Sequence, residues 1–141
     1  MLSATATGKR AAELAEADLF ASVPEKNYLG LQDADGSYNP KKVAEFLRLN
    51  RRDVARAVSV PLSSVRFDKR MTPELSKGMT EIGVICERVA GYFKGDAQKT
   101  FLWFSLPNTL LGGISPIEMI KLGRYKKLYH FVQNALAGNN P

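Results

Sequence analysis

The sequence predicts an all-α protein. Apolar residues recur at every third or fourth position through most of residues 40–138, and no alternation of apolar and polar residues is sustained. A polar capping residue followed directly by proline, a signal of helix starts, occurs at Asn39-Pro40, Thr72-Pro73 and Ser115-Pro116. The 141 residues fit one compact domain or two very small ones, and a 45% hydrophobic content is typical of a folded chain.

The first 39 residues form a lead that precedes the main helical region. Within them, residues 9–23 are rich in alanine and place five apolar residues near helical spacing: Ala11, Leu14, Ala15, Leu19 and Phe20. Pro24, Gly30 and the run DADGSYN at 33–39 then indicate turns and loop. The lead is consistent with a docking helix, a dimerisation arm or a partly disordered tail, and the sequence does not decide among these.

Residues 40–71 show the pattern of a helix-turn-helix. A helix is predicted from Pro40, with an apolar stripe formed by Val43, Phe46 and Leu47. A second helix has its apolar face at Val54, Ala55 and Val58. Pro61 breaks the helical period, and Ser63 or Ser64 can then cap a further helix. In a helix-turn-helix, this last helix enters the major groove of DNA.

The basic charge of the chain is concentrated on this candidate DNA-binding segment. Residues 41–77 carry ten cations against four acids, whereas residues 1–40 carry three cations against six acids. We expect DNA-binding residues in two groups, with base contacts from Ser63, Ser64, Arg66 and Lys69, and phosphate contacts from Arg51, Arg52 and Arg70. The plain alternatives are a solvated cationic face and serines that only cap a helix.

Arg66 is the best single candidate for contact with a guanine, because its planar fork can bond both acceptors of the base edge. Arg66→Ala is therefore expected to cost about 1–3 kcal/mol of specific binding. Because one helix-turn-helix reads few base pairs, we expect a homodimer on a palindromic operator, with half-sites about 34 Å apart.

Residues 72–141 are predicted to be helical. One long helix should run from Thr72-Pro73 to Gly95, and Asp96 should cap a second that ends at Pro107. A short helix should start at Ser115-Pro116, and a last helix should stop at Gly138. The segment around Trp103 is apolar on nearly every side, which fits an internal helix and a partner surface equally well.

The run PNTLLGGISPIE at residues 107–118 resembles the PN-x-x-L-x-G-x-SP core of the toxin-binding domain in Xre/MbcA/ParS antitoxins. In that family an Xre-like helix-turn-helix lies upstream and a closing helix lies downstream, and residues 40–138 carry both patterns in that order. The sequence departs from the family in two places. Charge crowds the start of the final helix at residues 124–127, and the 39-residue lead has no counterpart in the core of the resemblance.

The resemblance implies a type II antitoxin with three parts: the lead (1–39), an Xre-like helix-turn-helix DNA-binding region (40–71) and a helical toxin-binding domain (72–141). Such a protein neutralises a cognate toxin by covering its active site and represses its own operon. The implied toxin is a RES-type enzyme that degrades NAD⁺ or a related ADP-ribosylating enzyme. The implied toxin-binding residues are Trp103, Phe104, Asn108, Leu111, Arg124, Lys126, Lys127, Asn139 and Asn140.

Catalytic and metal-binding patterns are weak in this sequence. Cys86 is the only cysteine, so no internal disulfide can form, and His130 is the only histidine, so no histidine cluster for a metal can form. We therefore expect no enzymatic activity and no cofactor. The N-terminus lacks the features of a secretory signal and no apolar run is long enough to span a bilayer, so we expect a cytoplasmic protein without membrane association.

Two other classes of function fit the same patterns. The chain can be a stand-alone helix-turn-helix transcriptional repressor whose C-terminal helices serve only for dimerisation. Alternatively, it can neutralise a toxin while its helix-turn-helix has become a scaffold that no longer binds DNA. An adjacent gene whose product kills cells unless this chain is co-expressed argues against the first class, and salt-dependent binding to upstream DNA argues against the second.

Overall fold

The computed structural model describes residues 26–138, which form six α-helices and no strand. The helices are α1 (Pro40–Phe46), α2 (Arg51–Val58), α3 (Pro73–Tyr92), α4 (Ala97–Ser105), α5 (Pro116–Lys121) and α6 (Tyr125–Leu136). Single 3-10 turns lie at Leu62–Ser64 and Thr109–Leu111. The prediction of an all-α fold is confirmed. Across the described residues, none of the helices combines the length and the apolar character needed to cross a bilayer.

The long helix α3 is the centre of the bundle. It packs against α1, α2, α4 and α6, and its fully buried face includes Leu75, Met79, Ile82 and Ile85. The buried side chains of the predicted DNA-binding segment and of the C-terminal segment belong to the same hydrophobic core. The free thiol of Cys86, also on α3, is completely buried, and burial raises its pKa.

The predicted helix starts are confirmed. The side chains of Asn39, Thr72, Asp96 and Ser115 each accept a hydrogen bond from the backbone N–H three residues later, at the start of α1, α3, α4 and α5. Each cap satisfies one backbone donor that has no partner within the helix. Because this interaction is local, a short sequence pattern is enough to predict it.

Part of the lead packs against α3. Leu31 and Tyr38 are buried, and the fully buried carboxylate of Glu87 on α3 accepts hydrogen bonds from the backbone N–H groups of Tyr28 and Leu29. Close contact with the Tyr38 ring requires a residue without a side chain at Gly83, where a Cβ would lie 2.5 Å from the ring. The helix predicted within residues 9–23 lies outside the described residues.

Burial raises the pKa of the Glu87 carboxyl above its ordinary value of 4.5, although its hydrogen bonds with the two N–H groups act in the opposite direction. A raised pKa means that the folded chain holds this proton more tightly than the unfolded chain does. The contribution of Glu87 to the free energy of unfolding should therefore be complete below its unfolded-state pKa and decline as pH rises through the folded-state value.

A Glu87→Gln variant is expected to show a weaker decline in the free energy of unfolding as pH rises through the folded-state pKa of Glu87, because glutamine does not ionise. Urea unfolding of both chains at a series of pH values measures the difference. An identical pH dependence in the two chains would show that Glu87 does not titrate as burial predicts.

Candidate interaction surfaces

The second helix of the predicted helix-turn-helix is absent. Helix α2 starts with a capping box between Asn50 and Asp53 and ends at Ser59, whose φ of +58° is left-handed. Residues 62–64 form one 3-10 turn, Val65 is extended, and no α-helix occurs within the described stretch 59–72. The prediction that Ser63 or Ser64 caps a recognition helix is therefore wrong.

Tertiary contacts explain why a helix does not form there. The guanidinium of Arg51 donates hydrogen bonds to the carbonyl oxygens of Leu62 and Val65, at 3.2 and 3.1 Å. Those two carbonyls would otherwise accept the bonds of a continuing helix. The side chain of Val65 is buried in the core, which fixes the chain in an extended conformation at that point.

The predicted DNA-binding cations have different surroundings. Arg51 is exposed, and one nitrogen of its guanidinium donates to the backbone carbonyls described above. Arg66 makes a two-pronged ion pair with Asp68, with N–O distances of 2.7–3.1 Å, and this pairing lowers the pKa of the Asp68 carboxyl. The remaining predicted residues are mostly exposed, with only Ser64 partly buried: Arg52, Ser63, Ser64, Lys69 and Arg70.

An apolar groove lies between the last turns of α3 and α6 and is closed at one side by α4 and the following loop. Its volume is about 280 Å³. Large side chains form most of its lining, including Tyr92, Phe93, Trp103, Leu110, Phe131 and Leu136. We refer to this feature as the apolar groove.

The loop that closes the groove contains the PN…G…SP run. The side chain of Asn108 accepts a hydrogen bond from the Leu110 N–H at 2.9 Å, and its backbone N–H donates to the carbonyl of Ile114 at 3.0 Å. Gly112 and Gly113 have φ values of +81° and +88°, which reverse the chain between these contacts. The loop thus closes on itself and presents Leu110 at the groove.

Several apolar side chains around the groove face solvent. The relative exposures are 68% for Tyr92, 63% for Leu110 and 41% for Leu136. Leu102, next to Trp103 on α4, and Leu106, the first residue after α4, are also more than half exposed. Exposed apolar side chains grouped around an apolar groove are typical of a surface that binds another protein.

The structure separates the two neighbouring aromatic residues that were both predicted to contact the toxin. Trp103 is partly exposed and lines the groove, whereas Phe104 is completely buried and meets the Trp103 ring edge to face at 5.1 Å. The prediction of a direct toxin contact for Phe104 is therefore wrong for the folded chain. Asn108 lines the groove, while Leu111 is partly buried against the core.

The predicted cationic contacts lie away from most of this surface. Arg124, Lys126 and Lys127 are exposed at the start of α6, whereas the groove is lined by its later residues. Of the three, Lys127 is one helical turn before Phe131 and shares its face. Asn139 and Asn140 lie outside the described residues.

Sequence reasoning missed several residues of the groove. Tyr92 and Phe93 lie within the predicted long helix and Leu110 lies within the run at residues 107–118, but none of the three is among the predicted toxin-binding residues. A signal was present, because residues 101–104 of the helix capped by Asp96 are four consecutive apolar residues, and such a helix must expose some of them.

No protein-family model, curated protein or solved structure matches this chain. The resemblance to Xre/MbcA/ParS antitoxins therefore depends on residues 107–118 and on the order of the flanking helices. Within residues 26–138, no three His, Cys, Asp or Glu side chains are grouped so that they could hold a metal ion.

Proposed function

We propose that this chain is the antitoxin of a type II toxin–antitoxin pair and that its apolar groove binds the toxin. The groove includes Asn108 and Leu110, which belong to the run that resembles the toxin-binding domain of Xre/MbcA/ParS antitoxins, and Trp103, which lies four residues before that run. The resemblance and the exposed apolar surface thus point to the same face of the molecule.

The observation that carries this proposal is the exposure of Tyr92, Leu110 and Leu136 around the groove. Burial of apolar surface against a partner is favourable by about 25 cal/mol per Å² of area removed from water. Trp103 lines the groove and has the properties of an interface anchor. Its large ring is partly buried and packs edge to face against the ring of Phe104.

The class of toxin follows from the resemblance. We propose a RES-type enzyme that degrades NAD⁺, or a related ADP-ribosylating enzyme, whose active site the antitoxin covers. An enzyme of either kind must admit a dinucleotide, so its pocket is large enough for an opposing loop or helix to block. Arg124, Lys126 and Lys127 then contribute charge at the edge of the contact, where ion pairs mainly affect association rate and specificity.

Co-expression tests this function. The product of a gene adjacent to this one should arrest growth when expressed alone, and growth should recover when this chain is expressed with it. A catalytically silent chain that binds and blocks the toxin should also co-purify with it. If no neighbouring product arrests growth, or if arrest persists with this chain present, the proposal is wrong.

Binding to operator DNA is the second proposed activity, with repression of the chain's own operon as its consequence. It is supported by the excess of six positive charges in residues 41–77 and by the exposure of Arg52, Lys69 and Arg70. Because the chain has no recognition helix in this segment, most contacts of these cations with DNA would be to phosphates, and phosphate contacts give affinity but little sequence selectivity.

The affinity of the full chain for its own upstream DNA should therefore fall steeply as salt increases. A protein that contacts several phosphates loses orders of magnitude in affinity between about 50 and 200 mM salt. The Arg66→Ala substitution is expected to cost about 1–3 kcal/mol of specific DNA binding only if the Arg66 guanidinium breaks its ion pair with Asp68 and contacts a base. Fluorescence anisotropy with upstream and scrambled duplexes measures both quantities, and an absence of binding at low salt would exclude this activity.

The alternative of a stand-alone repressor makes a different prediction for the groove. If the C-terminal helices served only for dimerisation, substitutions in the groove would shift a monomer–dimer equilibrium without affecting any toxin. Light scattering on the purified chain over a range of concentrations measures that equilibrium, and the co-expression experiment measures protection from the toxin.

A further inference from the structure

We propose that the partner segment bound in the apolar groove is an amphipathic helix whose outer face is acidic. This choice of partner rests on the proposed function, in which the groove binds the toxin, so the helix belongs to the toxin. Three features of the groove indicate a macromolecule, a helix and a negative charge, respectively.

The apolar surface extends outside the groove itself. Tyr92 on one wall, Leu110 on another and Leu106 directly after α4 are each more than half exposed. A small ligand inside a cavity of about 280 Å³ would leave much of this apolar surface in water. A protein segment that lies over the groove covers it, so the surface fits a macromolecular partner better than a small molecule.

The groove offers few hydrogen bonds to the backbone of a partner. Its walls are helices, no strand occurs within the described residues, and the side-chain oxygen of Asn108 already accepts a bond from the Leu110 N–H. An extended segment would therefore bury many of its own N–H and C=O groups without partners, at a cost in free energy. A helix bonds these groups internally and presents only side chains to the groove.

Two walls of the groove carry an exposed lysine one helical turn before an aromatic lining residue. Lys99 precedes Trp103 by four residues on α4, and Lys127 precedes Phe131 by four residues on α6. Because residues four apart share one face of a helix, both ammonium groups lie at the edge of the groove.

The third wall has a cation in the same relative position. Arg88 lies four residues before Tyr92 on α3, and its guanidinium donates a hydrogen bond to the side-chain oxygen of Gln133 on α6, at 3.3 Å. The bond holds this positive charge between the two walls. We refer to Arg88, Lys99 and Lys127 as the cationic rim.

Few acids balance the cationic rim. Residues 88–138 carry seven cations against two acids, Asp96 and Glu118. The Asp96 carboxylate caps α4, and Glu118 lies on α5, which does not line the groove. Neither Lys99 nor Lys127 forms an ion pair with a carboxylate of residues 26–138. An acidic helix would pair with these lysines, whereas a second copy of the chain would bring two cationic rims together.

Two synthetic helical peptides test the sign of the charge. Each has about 16 residues, enough for a helix of about 24 Å, with leucines at helical spacing on one face and no tryptophan. One carries glutamate on its other face and the second carries lysine at the same positions. The emission of Trp103, the only tryptophan of the chain, reports binding in the groove. The glutamate peptide should shift this emission to shorter wavelength and bind about tenfold more tightly than the lysine peptide at low salt.

A third peptide tests the helix. It is the glutamate peptide with proline at a central position, which breaks the helix but keeps the charge and most of the apolar side chains. Its binding to the full-length chain should be at least about tenfold weaker than that of the parent glutamate peptide, because proline in a helix interior costs about 3 kcal/mol.

Reversal of the rim charges should reverse the preference between the first two peptides. In the full-length chain, Lys99→Glu combined with Lys127→Glu should bind the lysine peptide more tightly than the glutamate peptide. The matched control, Lys69→Glu combined with Lys77→Glu, makes the same change in net charge at exposed positions near the start of α3, far from the groove. This control should keep the preference of the wild-type chain, and far-UV circular dichroism checks that both double variants are folded.

Four results would overturn the inference. They are equal binding of the glutamate and lysine peptides by the wild-type chain, an unchanged preference in the folded rim variant, and equal binding of the proline peptide and its parent. The fourth is a Trp103 emission that shifts on dilution together with a dimer–monomer transition in light scattering, because a second copy would then cover the groove.

The peptide experiment requires no toxin, so its failure and the failure of the proposed function are distinguishable. If the peptides behave as expected but no growth-arresting neighbour binds the chain, the antitoxin proposal is wrong and the preference for an acidic helix stands. If a neighbour binds in the groove but the chain shows no preference between the peptides, the antitoxin proposal stands and the acidic helix is wrong.

Discussion

A Phe104→Ala variant is expected to lose about 3–5 kcal/mol of its free energy of unfolding. Phe104 is completely buried and is, with Thr100, one of only two buried residues of α4. Removal of the ring leaves a cavity at the contact that attaches α4 to the bundle. Because whole domains are stable by only about 5–15 kcal/mol, a loss of this size is a large fraction of the total.

Leu102→Ala is the matched control for Phe104→Ala. Leu102 lies on the same helix, two positions earlier, and 51% of its surface is exposed. Its replacement should change the free energy of unfolding by no more than about 0.5 kcal/mol. Urea unfolding of the three chains measures both effects, and equal losses in the two variants would contradict the placement of Phe104 in the core and Leu102 at the surface.

Substitution of Leu110 by aspartate is expected to weaken binding of the proposed toxin by about 30-fold or more, corresponding to about 2 kcal/mol. Leu110 is 63% exposed beside the groove, so a charge at this position costs little in the unbound chain. In the complex the same carboxylate would lose its water against an apolar partner surface without a compensating cation. Titration of each chain with the purified growth-arresting neighbour measures the loss.

Leu62→Asp is a suitable control for Leu110→Asp. Leu62 is also an exposed leucine in a 3-10 turn, with 40% of its surface accessible, but it lies in the segment between α2 and α3. Toxin binding should be unchanged in this variant. Equal weakening by the two substitutions would indicate a loss of fold or a contact surface elsewhere.

The sequence was sufficient for those parts of the fold that depend on local interactions. Asn39, Thr72, Asp96 and Ser115 each bond to an N–H three residues away, so a pattern of four residues contains the whole interaction. The long helix α3 was equally predictable, because the apolar residues on its buried face recur with the period of a helix.

The parts that failed depend on contacts between residues far apart in the chain. Ser63 and Ser64, which follow Pro61, predict the start of a helix. The Arg51 guanidinium instead donates hydrogen bonds to carbonyl oxygens of that segment, 11 and 14 residues further along the chain. The bond between Glu87 and the Tyr28 N–H spans 59 residues, so no local pattern predicts that part of the lead packs on α3.

The candidate site was only partly predictable for a related reason. On a helix with four consecutive apolar residues, periodicity does not distinguish the side chain that faces the core from the one that faces a partner. The structure places Phe104 in the core and its neighbour Trp103 at the apolar groove. That distinction requires the positions of α3 and α6.

The central claim is that the apolar groove is where a partner protein binds, and ¹⁹F NMR of the chain labelled with 5-fluorotryptophan tests it directly. Because Trp103 is the only tryptophan, the labelled chain gives one resonance, which reports from the groove. We predict that this resonance shifts when the unlabelled growth-arresting neighbour forms a complex with the chain. A complex that forms, as judged by size-exclusion chromatography, while the resonance stays in place would contradict the account.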